Sequence, residues 1–287
     1  MKHSEKKKLT ALVFLFCASL AGVVFFVWSI LENPKVASSQ SVELAEASHS
    51  GPRNPNLKID ILMYHHVGDY PENADATRRG LTVSTKNFNE QVAWLKQEGY
   101  HSVSLKDIYN YSQGRFNMPA KPVVFTFDDG YQDVFDNALP ILEEHGFSGS
   151  FGVITEFQGK TMGDNIYASW TAIKSAQAQG SEVVCHTQNH FDGSNSKFGS
   201  DYIYQNLAGC KNDLKQQGIE TGVLIYPYGH YTQDYIKQAQ RAGFNLGLTV
   251  HFGQNIDLNK PMELPRMRVN GGVPLDKFKE LILFGTF

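Results

Sequence analysis

The sequence predicts an α/β protein whose parallel strands close, or nearly close, into a barrel, with an open doubly wound sheet as the alternative. Two observations carry this. From Lys58 onward, short apolar runs alternate with stretches of helical periodicity. The runs are apolar at consecutive positions, as in strands buried on both faces. Repeated β–α units require right-handed crossovers, which make the strands parallel. In such a fold, polar residues at the C-terminal ends of strands are where chemistry collects.

The elements follow in order. Ile59 to Val67 reads as a strand. Phe88, Val92 and Leu95 share one helix face, with Ser84 or Thr85 as the cap. Pro122 to Phe127 is a fully buried strand. A helix near Asp136 follows, with Pro140 in its first turn, where a missing N–H costs little, and Gly146 as its stop. Phe151 to Ile154 is a strand, and Ser169 caps a helix through Trp170, Ile173 and Ala176. Val183 to Cys185 is a strand, and Ile203, Leu207, Cys210 and Leu214 mark the next helix. Val223 to Tyr226, Thr232 to Ala242 and Phe244 to Val250 continue as strand, helix and strand. Leu275 to Phe284 closes the chain as a helix. Cys185 and Cys210 are candidates to pair, but a small core residue is the simpler expectation for Cys185.

The chain has 287 residues, 41% hydrophobic and 19% charged, an ordinary globular balance that excludes a disordered or collagen-like chain. A net charge of -3 gives no basic surplus to attract nucleic acid. Three cysteines are too few for a disulfide framework. Leu9 to Leu31 contains no charged residue and is long enough to cross a bilayer as a helix. Lys2, Lys6, Lys7 and Lys8 precede it, and Glu32, Glu43 and Glu46 follow. The positive-inside rule then gives a cytoplasmic stub (1–8), a membrane anchor (9–31), a flexible tether rich in Ser, Asn, Pro and Ala (32–57) and an extracytoplasmic domain (58–287). A cleaved signal peptide is the alternative, with a poor cleavage site near Ala45 and Ala47.

Three polar clusters follow strands. In Thr126-Phe127-Asp128-Asp129-Gly130, adjacent carboxylates point different ways, so one suits a metal and the other a proton. A plain Asp-Gly turn is the bland alternative. In His186-Thr187-Gln188-Asn189-His190, two imidazoles four apart converge on one ion if the backbone turns. Asp129 would complete a two-His, one-carboxylate set with coordination positions left open for catalysis. Tyr226-Pro227-Tyr228-Gly229 is a tight loop able to aim a backbone N–H at an oxyanion. Tyr131, Trp170, Phe191 and Tyr228 lie near these clusters and are candidates to line a shallow groove, although most aromatics simply fill core.

Together and in this order, the three clusters resemble the motifs of the NodB-type polysaccharide deacetylases, carbohydrate esterase family 4. Ile61-Leu62-Met63-Tyr64-His65-His66-Val67 and the stretch Phe88 to Leu105 are most similar to the branch that deacetylates poly-N-acetylglucosamine in biofilm exopolysaccharide. The resemblance implies a distorted (β/α)7 barrel and a hydrolase that removes N-acetyl groups and releases acetate. It implies Asp128 as general base, Asp129, His186 and His190 as ligands of a divalent metal, usually zinc, and the Tyr228 N–H as an oxyanion donor. Two positions depart from the pattern. Many members carry an Arg where this chain has Ile225, and Arg266 is the candidate to orient Asp128 instead. The family's late general-acid His has no clear match. His251 is the candidate, a solvated loop histidine its ordinary reading, and His65 or His66 a further possibility. Other substrates remain open, namely peptidoglycan or a lipid-linked amino sugar, as does an inactive carbohydrate-binding protein on the same scaffold. The sequence leaves the oligomeric state open.

Overall fold

The computed structural model describes residues 53–285. The expected stub 1–8, the apolar segment 9–31 and most of the tether lie outside the described residues. Among the described residues no helix is long and apolar enough to cross a membrane.

Seven strands form the frame: β1 (Asp60–Tyr64), β2 (Pro122–Phe127), β3 (Gly149–Val153), β4 (Glu182–Cys185), β5 (Val223–Ile225), β6 (Leu246–Phe252) and β7 (Leu264–Arg268). Each pairs in parallel with the next, and β7 pairs in parallel with β1, which closes the barrel. The open-sheet alternative is thereby excluded. The seventh strand was not expected from the sequence, because Pro265 has no N–H for a ladder and argues against a strand. Asn56–Lys58 pairs antiparallel with Asn255–Asp257, so the end of the expected tether belongs to the folded domain. A three-residue strand is too short to show a period.

Besides a short helix over Ala76–Leu81, the helices are α1 (Thr85–Gln97), α2 (Leu105–Ser112), α3 (Leu139–Glu144), α4 (Trp170–Ala178), α5 (Ser200–Gln216), α6 (Gln233–Arg241) and α7 (Leu275–Phe284). Ser84, Ser169 and Thr232 cap α1, α4 and α6 by accepting a backbone N–H from Asn87, Ala172 and Tyr235. Ahead of α3 the chain makes a widened turn over Val134–Ala138, with the Leu139 N–H bonded five residues back to Val134. Pro140 follows at once and has no N–H to continue a regular ladder.

Side-chain alternation splits each strand between two cores. Ile61, Val124, Val184, Ile225, Leu248 and Leu264 share the barrel interior with Leu105 and Ile108 of α2. Leu62, Phe125, Phe151, Val183, Leu224 and Met267 face the helices instead. Both sets are buried, which explains the continuous apolar runs. Each fully buried large apolar side chain contributes about 1.5–3 kcal/mol. Cys185 and Cys210 are joined by a disulfide that links β4 to α5. Both are also fully buried, so the small-core-residue expectation for Cys185 misses the bond.

Candidate metal centre

The period-2 pattern of the strands assembles the site. On β2 the interior series Val124–Thr126 continues to Asp128. On β4 it runs from Val184 to His186, and on β7 from Leu264 to Arg266. Asp128, His186 and Arg266 therefore meet at the mouth of the barrel, past the C-terminal ends of apolar strands that hold them rigidly.

Asp129 Oδ1 lies 3.1 Å from His186 Nε2 and 3.2 Å from His190 Nε2. One ligand atom from each of the three residues lies within 4.8 Å of the other two. The His186 Nδ1–H donates to the Ile225 carbonyl at 2.8 Å, which directs Nε2 into the cluster. Asp129 Oδ1 is buried yet accepts no aligned hydrogen bond. An orphaned carboxylate oxygen facing two imidazole nitrogens is costly in a protein interior and is the donor set of a divalent metal. These residues fit such an ion. Burial would raise the Asp129 carboxyl, but the two facing imidazoles hold it well below the usual carboxylate range, so it is ionised as a ligand must be.

Asp128 sits beside this cluster with a different partner. Arg266 donates from Nη1 to Asp128 Oδ1 at 2.6 Å and from Nη2 to Oδ2 at 2.8 Å. The guanidinium is itself fixed, with Nε donating to the Thr249 carbonyl at 2.8 Å and Nη1 also reaching Thr126 Oγ1 at 3.1 Å. Arg266 is fully buried. Burial raises the Asp128 carboxyl, and the guanidinium overcomes it, leaving the group below its ordinary value. Ile225 lines the interior as an apolar residue, and the cation comes from β7 instead.

His65 Nε2 lies 4.0 Å from Asp128 Oδ2. Burial pushes its imidazole down to about 4, so it is neutral at physiological pH. His251 behaves differently. Its ring packs 6.0 Å from that of Tyr231. The pairing of β6 with β7 shifts register between Leu248 and Phe252, and Val250, His251 and Phe252 end exposed. His251 therefore ends on an exposed stretch at the end of β6, with Tyr231 as its ring neighbour.

The aromatic candidates also divide. Phe191 is buried against Phe198, Tyr202 and Tyr235. Tyr131 is buried too, stacked on His66 at 3.8 Å and paired with Tyr167. Trp170 opens α4 and packs half-buried on the core. Phe191 thus fills core rather than a groove, because its ring completes the aromatic cluster against α5 and α6. Tyr228 is the exposed ring at the site, 56% accessible and 4.6 Å from His190.

Among the described residues, five non-glycine residues have positive φ, and four of them are Asp129 (72°), Thr187 (65°), His190 (59°) and Tyr228 (59°). Each costs about 1–2 kcal/mol. Strain concentrated in the three motif loops marks a site held by its surroundings. Gly229 is required as glycine, since a Cβ there would lie 2.3 Å from Val250 Cγ2.

Three residues that could hold a divalent ion, beside a separately held carboxylate at the open end of a barrel, are an arrangement suited to metal-assisted hydrolysis. Residues 115–247 match the family model described as polysaccharide deacetylase. Over those residues the chain resembles the polysaccharide deacetylase (NodB, carbohydrate esterase family 4) family, and several of the relatives it matches are named N-deacetylases. It is 26% identical to YxkH of Bacillus subtilis (strain 168), over 75% of this chain and 73% of that one. It is 24% identical to proteins named poly-beta-1,6-N-acetyl-D-glucosamine N-deacetylase, from Staphylococcus aureus (strain N315), over 91% of this chain and 95% of the relative, and from Escherichia coli O157:H7, over 80% of this chain but only 39% of the relative's length. Among solved structures, Streptococcus pyogenes deacetylase PplD in complex with acetate superposes with a TM-score of 0.70 at 26% identity, over 79% of this chain and 98% of that one.

Proposed function

We propose that the protein removes N-acetyl groups from a β-1,6-linked N-acetylglucosamine exopolysaccharide, using a divalent metal, most simply zinc, at Asp129, His186 and His190. The observation that carries this reading is the orphaned Asp129 Oδ1 between two imidazole nitrogens, with Asp128 held apart by Arg266. The names of the relatives support the substrate.

A bound metal would polarise the amide carbonyl and lower the pKa of water toward about 7. The chain's own groups do the rest. Asp128, ionised through Arg266, takes the proton of the attacking water. The Tyr228 N–H, presented by a left-handed backbone, donates to the oxygen that gains charge. The proton Asp128 has taken returns to the leaving nitrogen from the Asp128–His65 pair. His65 starts each turnover neutral, so this one proton balances the step. Tyr228 offers its exposed face to a sugar ring.

The uncharged run 9–31 supports attachment to a membrane with the catalytic domain outside the cytoplasm. The Cys185–Cys210 disulfide supports an oxidising compartment. The test is acetate release by the full chain with added zinc, from poly-β-1,6-N-acetylglucosamine and from peptidoglycan in parallel. Release from the first polymer alone is the expected result. Release from peptidoglycan alone would reassign the substrate, and release from neither would leave a glycan-binding protein.

A further inference from the structure

The loop that carries both imidazoles is strained, and one helix face is built against it. Thr187 and His190 both adopt left-handed backbone, at φ 65° and 59°. The loop's own support is one bond, the His190 N–H to Thr187 Oγ1 at 2.9 Å. The strand side adds two, from the Thr155 and Glu156 N–H groups to the carbonyls of Thr187 and Gln188. The Thr187 N–H also reaches Cys185 Sγ at 3.2 Å, and the remainder comes from α5.

Asn206, Gly209, Cys210 and Asp213 stand at i, i+3, i+4 and i+7, one face of that helix. Asn206 is 5% exposed. Its Oδ1 accepts the Gln188 N–H at 2.9 Å, and its Nδ2 donates to Asn189 Oδ1 at 2.8 Å. Asp213 Oδ2 accepts from Gln188 Nε2 at 3.0 Å and from Thr155 Oγ1 at 2.7 Å, tying the loop to the end of β3. Gly209 leaves the space that the Gln188 side chain fills, since a Cβ would lie 2.5 Å from Gln188 Oε1. Cys210 is bonded to Cys185, the residue before His186. All four positions on this face touch the loop or its neighbours, and none touches a metal ligand's side chain.

We propose that this face of α5 is a clamp that pre-organises the metal site, with Asn206 as its principal positioning residue. It holds the strained loop so that His186 and His190 converge before any ion arrives. The proposal rests on the metal reading above, and its test separates the two.

The full chain, stripped by chelator, is compared with Asn206→Ala, Asn206→Asp and Asn189→Ala. Hydrogen exchange of the 187–190 amides is followed in the metal-free state, and cobalt(II) is titrated against a competing chelator, read by its visible absorption. The clamp predicts faster exchange of these amides in Asn206→Ala and cobalt affinity about ten- to a hundredfold weaker. Asn206→Asp keeps the acceptor for the Gln188 N–H and recovers part of both. Asn189→Ala leaves the helix untouched and shifts both in the same direction, by less. Unchanged exchange in Asn206→Ala and Asn189→Ala would overturn the clamp whether or not cobalt binds. A native chain that takes up no cobalt would end the metal reading, while the exchange comparison would still decide the clamp.

Discussion

Arg266 and Asp128 form a two-pronged ion pair across the barrel mouth, at 2.6 and 2.8 Å, between residues 138 positions apart. Both are buried. Breaking such a pair leaves a charge without a partner in a poorly solvated interior, and this costs more than the intact pair contributes. Arg266→Ala is therefore expected to lower stability by about 3–5 kcal/mol and Arg266→Lys by less, because an ammonium keeps the charge but not the fork. Chemical denaturation at neutral pH checks both.

The same pair sets a pH dependence. Arg266 depresses the Asp128 carboxyl, so the stability it contributes is present above the unfolded pKa of about 3.9 and is lost as pH falls through the lower folded value. Activity that needs ionised Asp128 keeps its acid limb at low pH. In Arg266→Lys that limb moves to higher pH, which a kcat/KM profile would read.

Asp60 works in the opposite sense. Burial raises its carboxyl to about 6, against Lys58 and the Gln254 hydrogen bond, which lower it. The folded chain then holds a proton that the unfolded chain has lost, and stability declines between about pH 4 and 6. Asp60→Asn is expected to raise the melting temperature at pH 8 and to change it little at pH 4. An equal shift at both pH values would remove the charge from the explanation.

The two histidine candidates part on turnover. His65 lies 4.0 Å from Asp128, whereas His251 packs on Tyr231. His65→Ala should lower kcat by about a hundredfold or more. His251→Ala should leave kcat within about a factor of two, because it removes no proton-transfer group. Acetate release under saturating substrate compares them.

The order of strands and helices was legible because both barrel faces are buried, so strands such as Pro122–Phe127 are uninterrupted apolar runs. The motif residues were legible as polar groups directly after those runs. The seventh strand was hidden by Pro265, and the Cys185–Cys210 bond by the ordinary behaviour of a buried cysteine. Phe191 looked like a groove aromatic from its place beside His190, but neighbours in sequence point to different surfaces. The register shift in β6 beside His251 is announced by no local pattern. The structure shows the grip of Arg266 on Asp128 directly, and the sequence offered it only as a substitute for a missing arginine.

Metal content tests the central claim most directly. The full chain, Asp128→Asn and His186→Ala are each dialysed against limiting zinc and assayed by elemental analysis. One equivalent in the first two and a large loss in His186→Ala is the predicted result. Zinc retained in His186→Ala, or lost in Asp128→Asn, would contradict the assignment of ligand and base.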